Sequence, residues 1–248
     1  MEMRASNINW IDYVHRKNYT QIGDSNSTII CGNRNIVNNI LQHSKSQLRQ
    51  DMFVLSELSF KRNGFFVEFG ATNGVDLSNT HLLESKFDWN GILAEPAKVW
   101  HADLLASRRA FIELDCVWTS TGETLLFNEV VHEKHKGELS TIDSFSDTDN
   151  HKDSRKYGRK YEVKTISLLD MLEKYNAPKS IDYLSIDTEG SEYEILSAFD
   201  FRSFDIKIIT CEHNFTPMRH KLFNLLTANG YQRKYTEYSR WDDWYVRS

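Results

Sequence analysis

Phe65-Phe66-Val67-Glu68-Phe69-Gly70-Ala71-Thr72-Asn73-Gly74 reads as an apolar strand that breaks at two glycines. The helix-compatible stretch 78–87 follows, with Ser78 as a candidate N-cap. Glycine at such a strand-to-helix turn lets the backbone take positive φ and come close to a ligand. The helix start, Ser78-Asn79-Thr80, offers free N–H groups to an anionic end such as a carboxylate or phosphate. Thr72 stands between Gly70 and Gly74 where a dinucleotide fold would want the middle of GxGxxG. Glu68, just before the turn, suits a ligand bearing an ammonium better than a pyrophosphate.

Outward from this turn the pattern repeats. Gly91 to Glu95 is a second strand stopped by Pro96, residues 97–107 a second helix, and Ala110 to Leu114 a third strand. Thr124 to Val131 is a fourth apolar run. After a polar stretch from His132 to Lys160, Ser167 opens a helix carrying Leu168, Leu172 and Tyr175 on one face. Ile181 to Ile186 is a strand, 190–199 a helix and Ile206 to Cys211 a strand. Thr216-Pro217 starts a helix that Gly230 closes, and Tyr231 to Tyr238 with Asp242 to Val246 form a closing antiparallel pair. Strands alternating with helices imply a doubly wound α/β fold, its mainly parallel sheet covered on both faces.

In the other direction, Leu48, Met52 and Leu55 predict an amphipathic helix over 46–60. Residues 1–45 are polar and weakly periodic, an N-terminal appendage, so the domain proper is 46–248. At 248 residues, 40% hydrophobic and 26% charged, the chain has the composition of one ordinary globular domain. Cys31, Cys116 and Cys211 are far apart and form no CxxC, which excludes a disulfide scaffold or cysteine zinc site and favours a reducing compartment. A net charge of −5 argues against a chain-wide nucleic-acid footprint. With no long apolar run and no signal-peptide core in Met1 to Trp10, the expected location is soluble and cytoplasmic.

The strand ends carry the chemistry. Glu95 lies 25 residues beyond Gly70, near the spacing at which a carboxylate grips ribose hydroxyls. At Asp115-Cys116 a carboxylate and a backbone N–H are placed to read an adenine edge. Ile181 to Ile186 delivers Asp187 and Glu189 to the same crevice, and Gly190 permits the tight entry into a helix. The next strand ends in Cys211-Glu212-His213-Asn214. Each residue alone is more often a solvated strand end or a helix cap; successive acidic strand ends at one sheet edge point to a ligand site.

Ser46-Gln47, Gln50-Asp51, Gly64 through Gly74, Leu77 to Thr80, Leu93 to Pro96, Asp187 to Glu192, Glu212 to Asn214, Gly230-Tyr231 and Asp242 to Tyr245 occur in the order seen in one family. Over residues 46–248 the chain resembles the FkbM family of S-adenosylmethionine-dependent methyltransferases. The resemblance implies a Rossmann-like class I methyltransferase fold: a seven-stranded sheet whose last strand is antiparallel. It implies S-adenosylmethionine as cofactor and O-methylation of a sugar, glycan or natural-product hydroxyl. Glu68, Gly70, Asn73 and Gly74 would then hold the methionine part, Glu95 the ribose and Asp115 the adenine, with Ala71, Ser78, Asn79 and Cys116 also counted as cofactor-binding.

Methyl transfer from a sulfonium is an in-line displacement dominated by positioning, to which a base adds about 10²–10⁴-fold. His213, Asp187 or Glu212 is the expected base, with Glu189 orienting the acceptor. Asp187, Glu189, Glu212 and His213 would suit Mg²⁺ or Mn²⁺ if they converged, but no spacing compels a metal and none is expected. The basic stretch 151–160 reads either as a solvated surface segment or as a lid that clamps an anionic acceptor. A nicotinamide-dependent oxidoreductase is the rival enzyme, disfavoured by the missing GxGxxG. A methyltransferase-like binding module without turnover is the non-enzymatic rival, disfavoured by the retained acids. RNA methylation ranks below both.

Overall fold

A computed structural model describes residues 34–131 and 137–248. Its centre is a seven-stranded sheet containing β1 (Phe65–Phe69), β2 (Asn90–Ala94) and β3 (Phe111–Glu113). These strands are joined there by β8 (Ser180–Ile186), β9 (Asp205–Glu212), β10 (Tyr231–Lys234) and β11 (Asp242–Arg247). The spatial order is β10-β11-β9-β8-β1-β2-β3. The pairs from β3 through β9 are parallel, and β11 lies antiparallel between β9 and β10. The fold class read from the sequence is therefore the one observed.

The central strands are apolar on both faces, so helices must cover both. On one face α1 (Arg34–His43), α2 (Gln50–Glu57), α3 (His81–Phe87) and α4 (His101–Ser107) bury Val37, Met52, Leu55, Leu82, Leu83 and Leu104 against Phe66 and Tyr183. On the other, α6 (Leu168–Lys174), α7 (Glu192–Ser197) and α8 (Met218–Ala228) pack Met171, Leu172, Ile195, Leu222 and Leu226 against Val67, Phe69 and Leu184. Ser167 caps α6 by accepting the Asp170 N–H at 3.1 Å, as its position predicts. Val37 is fully buried, so the described end of the polar N-terminal segment contributes to the core. Residues 1–33 of that segment lie outside the described residues.

The middle of the chain departs from expectation. The apolar run at 124–131 forms β5 (Thr124–Glu129), which does not join the central sheet. It belongs to a second sheet, ordered β4-β7-β5-β6, with β4 (Cys116–Trp118), β6 (Thr141–Ile142) and β7 (Arg159–Ser167). The polar stretch 132–160 thus holds β6, a 3₁₀ turn (Asp143–Phe145), the short helix α5 (Lys152–Arg155) and the start of β7. Residues 132–136 are outside the described set. Polar residues dominate β7 because its outer positions are exposed while Val163 and Thr165 point inward. Among the described residues, no helix is long and apolar enough to cross a membrane.

Candidate active site

A cavity of about 450 Å³ opens at the carboxyl edge of the central sheet, where the ends of β1, β2, β8 and β9 meet. Open α/β sheets bind ligands at this edge. Its other wall comes from the second sheet and its connections, including Phe127, Leu139, Ile142, Asn150 and His151.

Gly70 is the pivot between the two halves. A Cβ at Gly70 would sit 2.0 Å from the Asp187 carbonyl oxygen, and its φ is +73°. The glycine is required because the loop after β1 passes against the end of β8. Thr72 takes left-handed φ of 48° and donates its N–H to Glu95 Oε2 at 2.8 Å, tying the β1 loop to the end of β2. Glu95 Oε1 accepts the Ala97 N–H at 2.8 Å. A carboxylate has about four acceptor positions, so Glu95 retains capacity toward the cavity it lines. Burial pushes its pKa up to about 7.

Glu68 also lines the cavity, but its oxygens serve the chain itself. Oε1 accepts the Asn79 N–H at 2.7 Å, and Oε2 accepts the Ser78 hydroxyl at 3.0 Å and the Thr80 hydroxyl. Arg108, buried beside it, reaches Glu84, the Gly74 carbonyl, Ser78 and Thr80. The loop 74–80 is thus folded around a buried acid and a buried guanidinium, which is why α3 begins at His81. Asn79 lines the cavity with its side chain fixed between Ser46 and Ser185. Ser78, Ala71, Asn73 and Gly74 stand behind that wall; Asn73 closes its own turn by accepting from Val75 and Asp76. Cys116 lines the cavity beside Val117, whereas the adjacent Asp115 does not.

At the other half, Asp187, Glu189 and Glu212 converge. One oxygen from each lies within 4.8 Å of the others. Oxygen donors so spaced suit a hard divalent cation such as Mg²⁺ or Mn²⁺. Asp187 and Glu212 share a hydrogen bond, and burial pushes Asp187 up to about 6 and Glu212 well above the usual carboxylate range. Glu189, with left-handed φ of 58°, receives Arg155 Nη2 at 2.7 Å and Asn214 Nδ2 at 3.2 Å on one oxygen. Glu192 holds the loop beneath them by accepting the N–H groups of Thr188 and Gly190. Of the four residues expected to carry catalysis, three face the cavity.

His213 is the fourth, and it turns away. Its Nδ1 accepts the Phe215 N–H at 3.0 Å, and its Nε2 lies 3.7 Å from Asp243. Burial pushes its pKa down to about 4.

Sequence reasoning overlooked Asp242 and Gln50. The reversed direction of β11 brings its first residue, Asp242, to the carboxyl edge opposite Glu212. Asp242 lines the cavity, accepts Gln50 Nε2 at 2.7 Å, and is pushed by burial up to about 8. The antiparallel pairing of the last strand, itself predicted, was the signal that could have found it. Within the basic stretch 151–160, Arg155 pairs with Asp149 and Glu189, Arg159 with Glu129, and Lys160 with Asp143.

The sequence model of the methyltransferase FkbM domain matches residues 68–233. Among solved structures, precorrin-6y C5,15-methyltransferase from Geobacter metallireducens GS-15 is similar at 12% identity and a TM-score of 0.39, covering 79% of this chain and 85% of that one. No curated protein matches.

Proposed function

The chain belongs to the FkbM methyltransferase family, and from that premise we propose that it is an S-adenosylmethionine-dependent O-methyltransferase acting on a sugar, glycan or natural-product hydroxyl. The observation that carries this reading is the cavity itself. One end holds Glu95 with spare acceptor capacity; the other holds three converging carboxylates.

The residues present suit the donor. Glu95 fits a vicinal diol, whose two hydroxyls are donors for a carboxylate. Cys116, Val117, Phe127 and Ile142 make an apolar wall next to it, appropriate for a flat heteroaromatic ring. Bound there, S-adenosylmethionine supplies an electrophilic methyl group carried on a sulfonium.

The chain's own contribution is orientation and proton removal. Asp187 and Glu212 are raised together by burial and share a hydrogen bond, so the pair holds a proton between them and keeps one carboxylate as an acceptor. Asp187, which lines the cavity, is the member of the pair placed to take the proton of the acceptor hydroxyl. Glu189 accepts a hydrogen bond from a neighbouring acceptor hydroxyl and fixes the attacking oxygen. His213 has no nitrogen lone pair directed at the cavity, so the base assignment falls on Asp187.

Calorimetry with S-adenosylmethionine, followed by mass screening of sugars and nucleotide sugars for a methyl gain, tests the proposal. Binding with transfer to a hydroxyl supports it. Failure to bind the cofactor removes it, and binding without transfer to any acceptor favours a methyltransferase-like binding module.

A further inference from the structure

We propose that Arg155 is a positioning residue for methyl transfer: from the second sheet's connection it holds the Glu189 carboxylate against the acceptor. The proposal rests on the functional reading above and deepens it. Read from sequence alone, Arg155 is one of five cations in a basic stretch that solvates a surface or clamps an anion. Its place in the fold is different.

The Arg155 side chain is completely buried, and each of its three nitrogens donates to a separate acceptor. Nε reaches the Leu139 carbonyl at 2.7 Å, Nη1 reaches Asp149 Oδ1 at 2.8 Å, and Nη2 reaches Glu189 Oε2 at 2.7 Å. A planar guanidinium with every face occupied has one orientation, and so does the carboxylate it grips. The Arg155 carbonyl is itself fixed by Asn128 Nδ2 at 3.1 Å. Sequence distance makes the contact informative: residue 155 has travelled with the second sheet to meet a residue at the tip of β8.

The neighbouring contacts point the same way. The Thr141 hydroxyl donates to the Glu189 carbonyl at 3.0 Å, and the space beside Gly190 is filled by Phe145 and Thr148, 3.2–3.3 Å from where a Cβ would lie. The connection that contributes Leu139, Asn150 and His151 to the cavity wall is thus bolted to the loop that presents Glu189. The wall against which an acceptor packs and the carboxylate that orients it are one mechanical unit, joined through Arg155. A misplacement of about 1 Å at such a group costs about 10²-fold in rate.

The test compares Arg155→Gln and Arg155→Lys with wild type in three measurements. These are kcat and KM for a sugar acceptor, calorimetric affinity for S-adenosylhomocysteine, and the pH titration of the ¹³C-labelled Glu189 carboxyl. Arg155→Gln is expected to lower kcat by about 10²-fold while leaving S-adenosylhomocysteine affinity unchanged. Arg155→Lys is expected to recover part of the loss. The Glu189 titration should move to higher pH by about one to three pH units in Arg155→Gln, because the adjacent cation is gone. Unchanged kcat in a folded Arg155→Gln, or an equal loss of affinity for S-adenosylhomocysteine, overturns the assignment. If Arg155→Gln does not fold, Arg155→Lys decides through kcat alone: it keeps the cation but not the three-way fork, so kcat should fall with S-adenosylhomocysteine affinity unchanged, and an unchanged kcat overturns the assignment. A wild-type chain that methylates no acceptor overturns the functional reading and the assignment resting on it, which separates that failure from an unchanged kcat in an active enzyme.

Discussion

Glu68 lies in β1 and Asp187 just past the end of the neighbouring β8, at one edge of one sheet, both buried or half-buried, and the fold treats them in opposite ways. Glu68 is surrounded by donors from its own loop, Ser78, Asn79 and Thr80, with Arg108 behind. Asp187 faces two other carboxylates and an open cavity. An acid whose acceptor positions are filled by backbone and hydroxyl donors shapes the wall. An acid set against its own kind has a high-energy charge that a substrate proton or a cation can relieve. The β1–β2 half of the cavity is mostly built of the first type and the β8–β9 half of the second.

Two substitutions break this comparison most directly. Asp187→Asn should reduce kcat by about 10²–10⁴-fold with the cofactor affinity and the melting temperature little changed. Retained activity in that variant would remove Asp187 as the base. Glu68→Ala should act on stability: it leaves the Asn79 N–H and the Ser78 and Thr80 hydroxyls without their buried acceptor, at a cost of about 1–3 kcal/mol. Thermal denaturation would show it, and an unaltered Tm would mean that the loop 74–80 does not depend on this acid.

The pH dependence of stability sharpens the contrast. Burial raises the folded-state pKa of Asp187 to about 6, of Asp51 and Glu95 to about 7, and of Asp242 to about 8. The folded state therefore holds more protons than the unfolded chain above pH 4, and stability falls as pH rises toward 8. His213, depressed to about 4, works the other way only below its ordinary value near 6.5. Between pH 6.5 and 8 the acids should dominate, so Tm is expected to drop across that interval. Asp242→Asn should flatten the drop, and a Tm profile indifferent to that substitution would contradict the assigned burial of the group.

How far the sequence reached follows from what kind of information each element needs. β1 and β8 were legible because strands covered on both faces are continuous apolar runs, and their acidic ends mark the sheet edge without further help. The second sheet was not. Its β7 alternates an exposed, charged outer row with an inward row, and the partner that justifies the pattern, β5, lies some thirty residues earlier across a polar segment. Asp242 was visible as a residue but not as a site residue, because its placement depends on the direction of β11. Arg155 was visible only as charge; the contact with Glu189 is created by packing the second sheet on the first. Gly70 was expected to make room for a ligand, and the structure adds the Asp187 carbonyl as the neighbour that forbids a side chain.

The smallest effect concerns His213, which sequence position alone makes as attractive a base as Asp187. Its Nδ1 lone pair is taken by the Phe215 N–H, and Nε2, buried without a hydrogen bond, lies 3.7 Å from Asp243, itself bound by Arg219 and Arg233. A proton acceptor needs a lone pair within reach of the substrate, and this imidazole directs none into the cavity. His213→Gln should therefore leave kcat within about threefold of wild type, well short of the effect of losing a general base. It should cost about 1 kcal/mol of stability through the lost hydrogen bond to the turn, read as a small fall in Tm. A loss of kcat as large as that of Asp187→Asn would return the base to the end of β9 and require the turn at Asn214 and Phe215 to open during turnover.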